Sequence, residues 1–196
     1  MKKYLIMFII SLGVLLSFPS SVKADVIKNY NDGSTVYTNM FVGMQSRMNM
    51  GGVGLAIMGD FRMRPGWMNP GTSWLGLDKT GRHDDFMLQE TGNEDAVKIV
   101  ETGKLYRIYW LQNDAYLWYK AANPYGPTDN GLYAKSKQYG AANVKFEKNK
   151  DNAFYTMTCM SGDLSFSDDG SIIGAGALPP FAYKLEIAFK NNYATK

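Results

Sequence analysis

Five residues of this sequence have the types and spacing to hold a sugar: Trp118, Tyr119, Tyr125, Asp129 and Asn130. Aromatic rings take the C–H faces of a pyranose while Asp and Asn side chains take its hydroxyls, so this group predicts a shallow carbohydrate site. The best single segment is Tyr125-Gly-Pro-Thr-Asp-Asn-Gly131, which is loop by composition yet carries a ring. The competing reading is that strand alternation sends half of these rings into the core. With 13 Tyr and 4 Trp in the chain, there are rings enough for both uses.

Other chemistries are poorly supplied. The one histidine, His83, stands in His83-Asp84-Asp85, and one imidazole does not furnish the three or four ligands of a zinc site. Asp168-Asp-Gly170 lacks the alternating Asp spacing of a calcium loop and reads as a hairpin turn. No Gly-x-Ser-x-Gly, His-Glu-x-x-His or phosphate-cradling Gly-x-x-x-x-Gly-Lys occurs. No local sequence singles out a carboxylate pair for glycoside hydrolysis. Neither a catalytic residue, a metal ligand nor a cofactor is therefore assigned. The lone Cys159 excludes an internal disulfide, and its setting in the strand-like Phe154–Cys159 run predicts a buried thiol.

The elements that must position these residues are strands. Lys104–Lys120 reads as two aromatic strands, Leu105–Leu111 and Ala115–Lys120, joined by Gln-Asn-Asp. Val97 and Ile99, Val144 and Phe146, and Tyr183, Leu185, Ile187 and Phe189 alternate with polar residues at period two. Near the start, Val26–Tyr30 and Ser34–Thr38 flank Asn31-Asp-Gly33, a strong hairpin signal. Seven methionines crowd into 40–68. Met40, Met44 and Met48 at i, i+4, i+8 predict a short helix on the core. Contact of Met40–Met68 with a membrane or partner is the second reading, and thioether binding of Cu(I) the third.

The leader changes the charge argument. Lys2 and Lys3 precede an apolar run to Phe18, and Val22-Lys23-Ala24 fits a signal-peptidase site, predicting export with cleavage between Ala24 and Asp25. Lys2, Lys3 and Lys23 leave with it, so 21 Lys+Arg become 18 against 18 Asp+Glu. A neutral chain lacks the surplus positive charge of a nucleic-acid binder. The predicted division is residues 1–24 as signal peptide, 25–72 as hairpin and Met/Gly-rich segment, and 73–196 as a repeat-built β domain.

Within that last part a weak repeat runs through Leu75, Leu117 and Leu164, and again through Lys98, Lys145 and Lys184. Lys104-Leu-Tyr-Arg-Ile108 also matches Ala153-Phe-Tyr-Thr-Met157. Three four-strand units of about forty residues resemble a β-trefoil, the fold of ricin-B-type lectins and toxin-associated modules, over Ser73–Phe189. The Gln-x-Trp motif of the ricin-B class is missing, with Ile99, Phe146 and Leu185 where its Trp would stand. The fold class is all-β, β-trefoil-like, with a β-sandwich and a closed β-barrel as alternatives. Together with the leader and the loops that carry aromatic, Asp and Asn residues, the resemblance implies a secreted, non-catalytic binding module for carbohydrate or a cell-surface glycan. The alternatives are a toxin-like or membrane-active protein, an exported inhibitor or structural protein, and an enzyme whose site no local sequence marks.

Overall fold

The structure is a computed structural model that describes residues 24–47, 54–58, 73–78, 84–120, 131–135, 140–150, 154–159, 162–166, 172–174 and 183–191. Alternation sets its strands. In Tyr106–Trp110 the side chains of Tyr106, Ile108 and Trp110 are buried while Arg107 and Tyr109 face outward, as a pleat with one wet face requires. In chain order the strands are β1 (Phe41–Ser46), β2 (Gly54–Met58), β3 (Ser73–Asp78), β4 (Phe86–Glu90), β5 (Tyr106–Trp110), β6 (Ala115–Lys120) and β7 (Gly131–Lys135). They continue as β8 (Val144–Lys148), β9 (Tyr155–Cys159), β10 (Gly162–Phe166), β11 (Ile172–Gly174), β12 (Tyr183–Lys184) and β13 (Glu186–Asn191). The one helical element among the described residues is a 3-10 turn, Leu111–Asn113.

Six strands close a ring of antiparallel pairings: β1 with β4, β4 with β5, β5 with β8, β8 with β9, β9 with β13, and β13 back to β1. Three hairpins leave it, β2–β3, β6–β7 and β10–β11. The chain thus repeats strand, hairpin, strand three times, and the fold is a β-trefoil. Closing the ring leaves those six strands without an open edge.

The units start elsewhere than the sequence repeat suggested. Leu117 and Leu164 lie in β6 and β10, the first arms of their hairpins, but Leu75 lies in β3, a second arm. All three are buried, so hydrophobicity alone does not separate the two arms. The first unit begins at Phe41, and position 72 falls between the arms of one hairpin, β2 and β3. The match of Tyr106 with Tyr155 does hold, since they open β5 and β9, the first strands of two successive units.

Two further expectations are corrected. Residues 41–46 form strand β1 and not a helix, because Val42, Met44 and Ser46 are buried at period two and pair with β13. Val97 and Ile99 are 61% and 43% exposed, and Val100 is buried in their place. Segment 96–101 is not a ring strand. It docks on the N-terminal hairpin through the bridges Tyr37–Ile99 and Val26–Glu101, with Ile27, Val36 and Val100 turned inward. That hairpin turns at Asn31-Asp-Gly33 as expected, with Gly33 at φ 69° and its N–H donating to the Asn29 carbonyl.

The core is a chain of rings across the barrel. Phe146 meets Phe189 edge-on at 5.0 Å, Tyr155 meets Phe189 at 5.7 Å, and Tyr106 leans on Phe146 at 6.1 Å. Each such pair adds about 0.5–1.5 kcal/mol to the area it buries. The two tyrosines keep hydroxyls on the backbone beneath. Tyr155 accepts the Lys28 N–H at 3.2 Å and Tyr106 accepts the Glu101 N–H at 2.8 Å. Phe146 and Leu185 are buried as expected, and so is the Cys159 thiol.

Candidate functional site

Segment 91–97 is the first part of the connection from β4 to β5 and is held from below by the residues that lead into β1. Asn39 sits at φ 57°, a left-handed conformation that Asn tolerates better than most residues. That geometry aims its amide at the loop, where Nδ2 donates to the Glu94 carbonyl at 2.7 Å and to the Ala96 carbonyl at 3.1 Å. Thr38, fully buried, donates its hydroxyl to the Ala96 carbonyl at 2.7 Å and accepts the Lys98 N–H at 2.8 Å. Both anchors are themselves fixed, since the Asn39 N–H donates to Leu88 O and the Thr38 N–H to Lys98 O.

The loop adds bonds of its own. The Ala96 N–H reaches back to Asn93 O at 3.2 Å, closing a tight turn whose corners are Glu94 and Asp95. The Glu94 carboxylate accepts the Gly92 N–H at 3.1 Å and the Arg107 guanidinium at 2.8 Å. The Gly92 amide first, then the main-chain amide of Glu94 itself and after it Arg107, hold this carboxyl below its ordinary range. Thr91 is tied to Asn143 of the next unit at 2.8 Å. Asn93, Asp95 and Val97 are exposed above these supports. A projecting segment with this many backbone tethers has little conformational freedom left to lose on binding, which is how a preorganised recognition loop gains affinity.

Trp118 and Tyr119 are adjacent in β6 and therefore face opposite sides of the strand. Tyr119 lies on the Leu117 side, packed against the core, and burial pushes its hydroxyl above the ordinary tyrosine range. Trp118 lies on the other side with its ring over Gly140. There it shares a half-buried face with Tyr116 and with Tyr109 of β5, which stands opposite Tyr116 with ring centroids 5.0 Å apart. The Tyr109 hydroxyl donates to Asp114 at 2.8 Å and the Tyr116 hydroxyl to Gln89 at 3.0 Å. Tyr125, Asp129 and Asn130 lie outside the described residues, as do His83 and Asp168-Asp-Gly170. Among the described residues no group of three or more His, Cys, Asp or Glu is placed to hold a metal ion.

The sequence alone does not point to Asn39, the residue that organises the loop. The partners are 55 and 57 positions away, so no local pattern carries the relation. A signal did exist: an Asn placed directly after a strand is a frequent occupant of the left-handed region.

No protein-family model matches the sequence, and no curated protein matches it. Solved structures do. The double-headed arrowhead protease inhibitor A, in complex with two trypsins, is 15% identical with a TM-score of 0.63, over 85% of this chain and 98% of that one. The water-soluble chlorophyll protein of Brassica oleracea var. botrytis with chlorophyll b is 14% identical with a TM-score of 0.61, over 85% and 98%. A mutant Bauhinia bauhinioides kallikrein inhibitor, complexed with human kallikrein 4, is 13% identical with a TM-score of 0.59, over 84% and 96%. At these identities the likeness is one of fold. The share of this chain that is matched exceeds what residues 73–196 make up, in keeping with a first unit that begins at Phe41.

Proposed function

We propose that the protein is an exported, non-catalytic binding module that presents the 91–97 loop to a protein partner, and that the partner is a protease. The observation that carries this is the Asn39 amide spanning the carbonyls of Glu94 and Ala96, which fixes the exposed backbone between them. Support comes from two of the solved structures of the same fold, both inhibitors with proteases bound. A binder of this kind needs a shape that survives docking and no reactive groups of its own. Titration of the purified protein against trypsin, a kallikrein and a serine endopeptidase that cleaves after acidic residues, followed by residual hydrolysis, tests the reading. Stoichiometric loss of one activity is expected; full activity of all three, with no complex on gel filtration, rejects it.

Export rests on the leader, whose residues 1–23 lie outside the described residues. N-terminal sequencing of the secreted protein should begin at Asp25.

Carbohydrate binding is the second reading, and the Tyr109, Tyr116 and Trp118 face favours it. Rings and hydrogen-bonding groups, Asp114 and Gln89, lie side by side there, and Tyr125, Asp129 and Asn130 are the further residues the sequence offers. A glycan array with heat-unfolded protein as control tests it, a blank array from folded protein counting against it. Contact of Met40–Met68 with a membrane is not carried by Met44, which is sealed in the core of the folded state.

A further inference from the structure

We infer that the partner surface which accepts the 91–97 loop is a positively charged pocket that takes the side chain of Asp95; this rests on the loop being the protease-facing surface proposed above. Asp95 is exposed at the corner of the turn, between the two carbonyls that Asn39 holds. Its carboxylate has no hydrogen-bond or ion-pair partner among the described residues. Every other charge of the loop is engaged within the molecule. Glu94 is turned onto Arg107 and the Gly92 amide, and Lys98 is paired with Glu90 at 3.2 Å. The tip therefore offers one uncompensated charge, negative, in a place set by its backbone tethers.

A fixed charge that enters a desolvated site selects its partner by sign, because an unpaired or like charge there is strongly disfavoured. The trypsin pocket carries a carboxylate at its base, so Asp95 opposes it. A protease that cleaves after acidic residues must present cationic or hydrogen-bond-donating groups to hold its substrate carboxylate, and those groups complement Asp95. Val97, two residues on and 61% exposed, supplies apolar contact beside that charge.

The experiment compares the unaltered protein, Asp95→Asn and Asp95→Arg against trypsin and against a serine endopeptidase specific for acidic residues, with melting temperatures as a fold control. The inference expects the unaltered protein to inhibit the acid-specific enzyme and spare trypsin. Asp95→Asn should weaken that inhibition by about 100-fold, and Asp95→Arg should transfer inhibition to trypsin. If Asp95→Arg inhibits trypsin while the unaltered protein inhibits neither enzyme, or if Asp95→Asn inhibits as well as the unaltered protein, the charge inference is overturned and the loop reading stands. If none of the three inhibits either enzyme, the loop reading falls and the inference with it.

Discussion

The side-chain amide of Asn39 donates to the main-chain carbonyl of Glu94 at 2.7 Å, from a residue whose own backbone is left-handed at φ 57°. One residue therefore both turns the chain out of the N-terminal hairpin into β1 and fixes the connection between β4 and β5. The trefoil makes this meeting possible, because closure of β1 on β4 brings the start of one unit beside its end.

Asn39→Gly separates the two roles, since glycine accepts the positive φ without the amide. We expect a stability loss of about 1 kcal/mol from the two lost bonds and faster amide exchange at residues 92–98. Asn39→Ala adds backbone strain of about another 1 kcal/mol. Urea melts of the three proteins order these effects.

Thr38→Val keeps the shape of a fully buried side chain and removes its hydroxyl. The Lys98 N–H loses its acceptor and the Ala96 carbonyl one of its donors. The expected cost is about 1–3 kcal/mol, read as a lower urea midpoint at unchanged m-value.

Gly140 is a second point of close approach. It holds φ 91°, and a Cβ there would lie 2.5 Å from the Trp118 ring. Gly140→Ala should cost about 1–3 kcal/mol and change the near-ultraviolet circular dichroism, because the indole must move. An unchanged spectrum and melting temperature would contradict the packing described.

Much of the architecture is legible in residue order, and what escapes does so for a definable reason. Period two at 106–110, 144–146 and 185–189 shows the strands, and Asn31-Asp-Gly33 shows the hairpin. The phase of the repeat is not legible from Leu75, Leu117 and Leu164, since both arms of a trefoil hairpin bury a leucine. The spacing of Met40, Met44 and Met48 suits a helix, yet the pairing of β1 with β13 and β4 overrides it. Ile99 looks like a core residue until Val100 is seen in the pocket made by Ile27 and Val36. The loop anchor is hidden because Asn39 and Glu94 meet only after the ring closes.

Acid should loosen the region below the loop. Contact with Lys98 first, and the nearby charge of Lys104, hold the Glu90 carboxyl below its ordinary 4.5. A carboxyl whose folded value is depressed contributes stability above its unfolded value and loses it as the pH falls through the folded one. We expect the melting temperature to decline below about pH 4.5. Glu90→Gln should lower it at neutral pH and flatten that acid limb; an acid limb identical to that of the unaltered protein would remove Glu90 from the account.

The most direct test of the central claim is amide exchange of the protein alone and bound to whichever protease the titration identifies. The account has residues 92–98 slowly exchanging in the free protein and further protected in the complex, with β5–β6 unchanged. Protection confined to β5–β6 and the Trp118 face, or a free loop that exchanges at the rate of an unstructured chain, would contradict it.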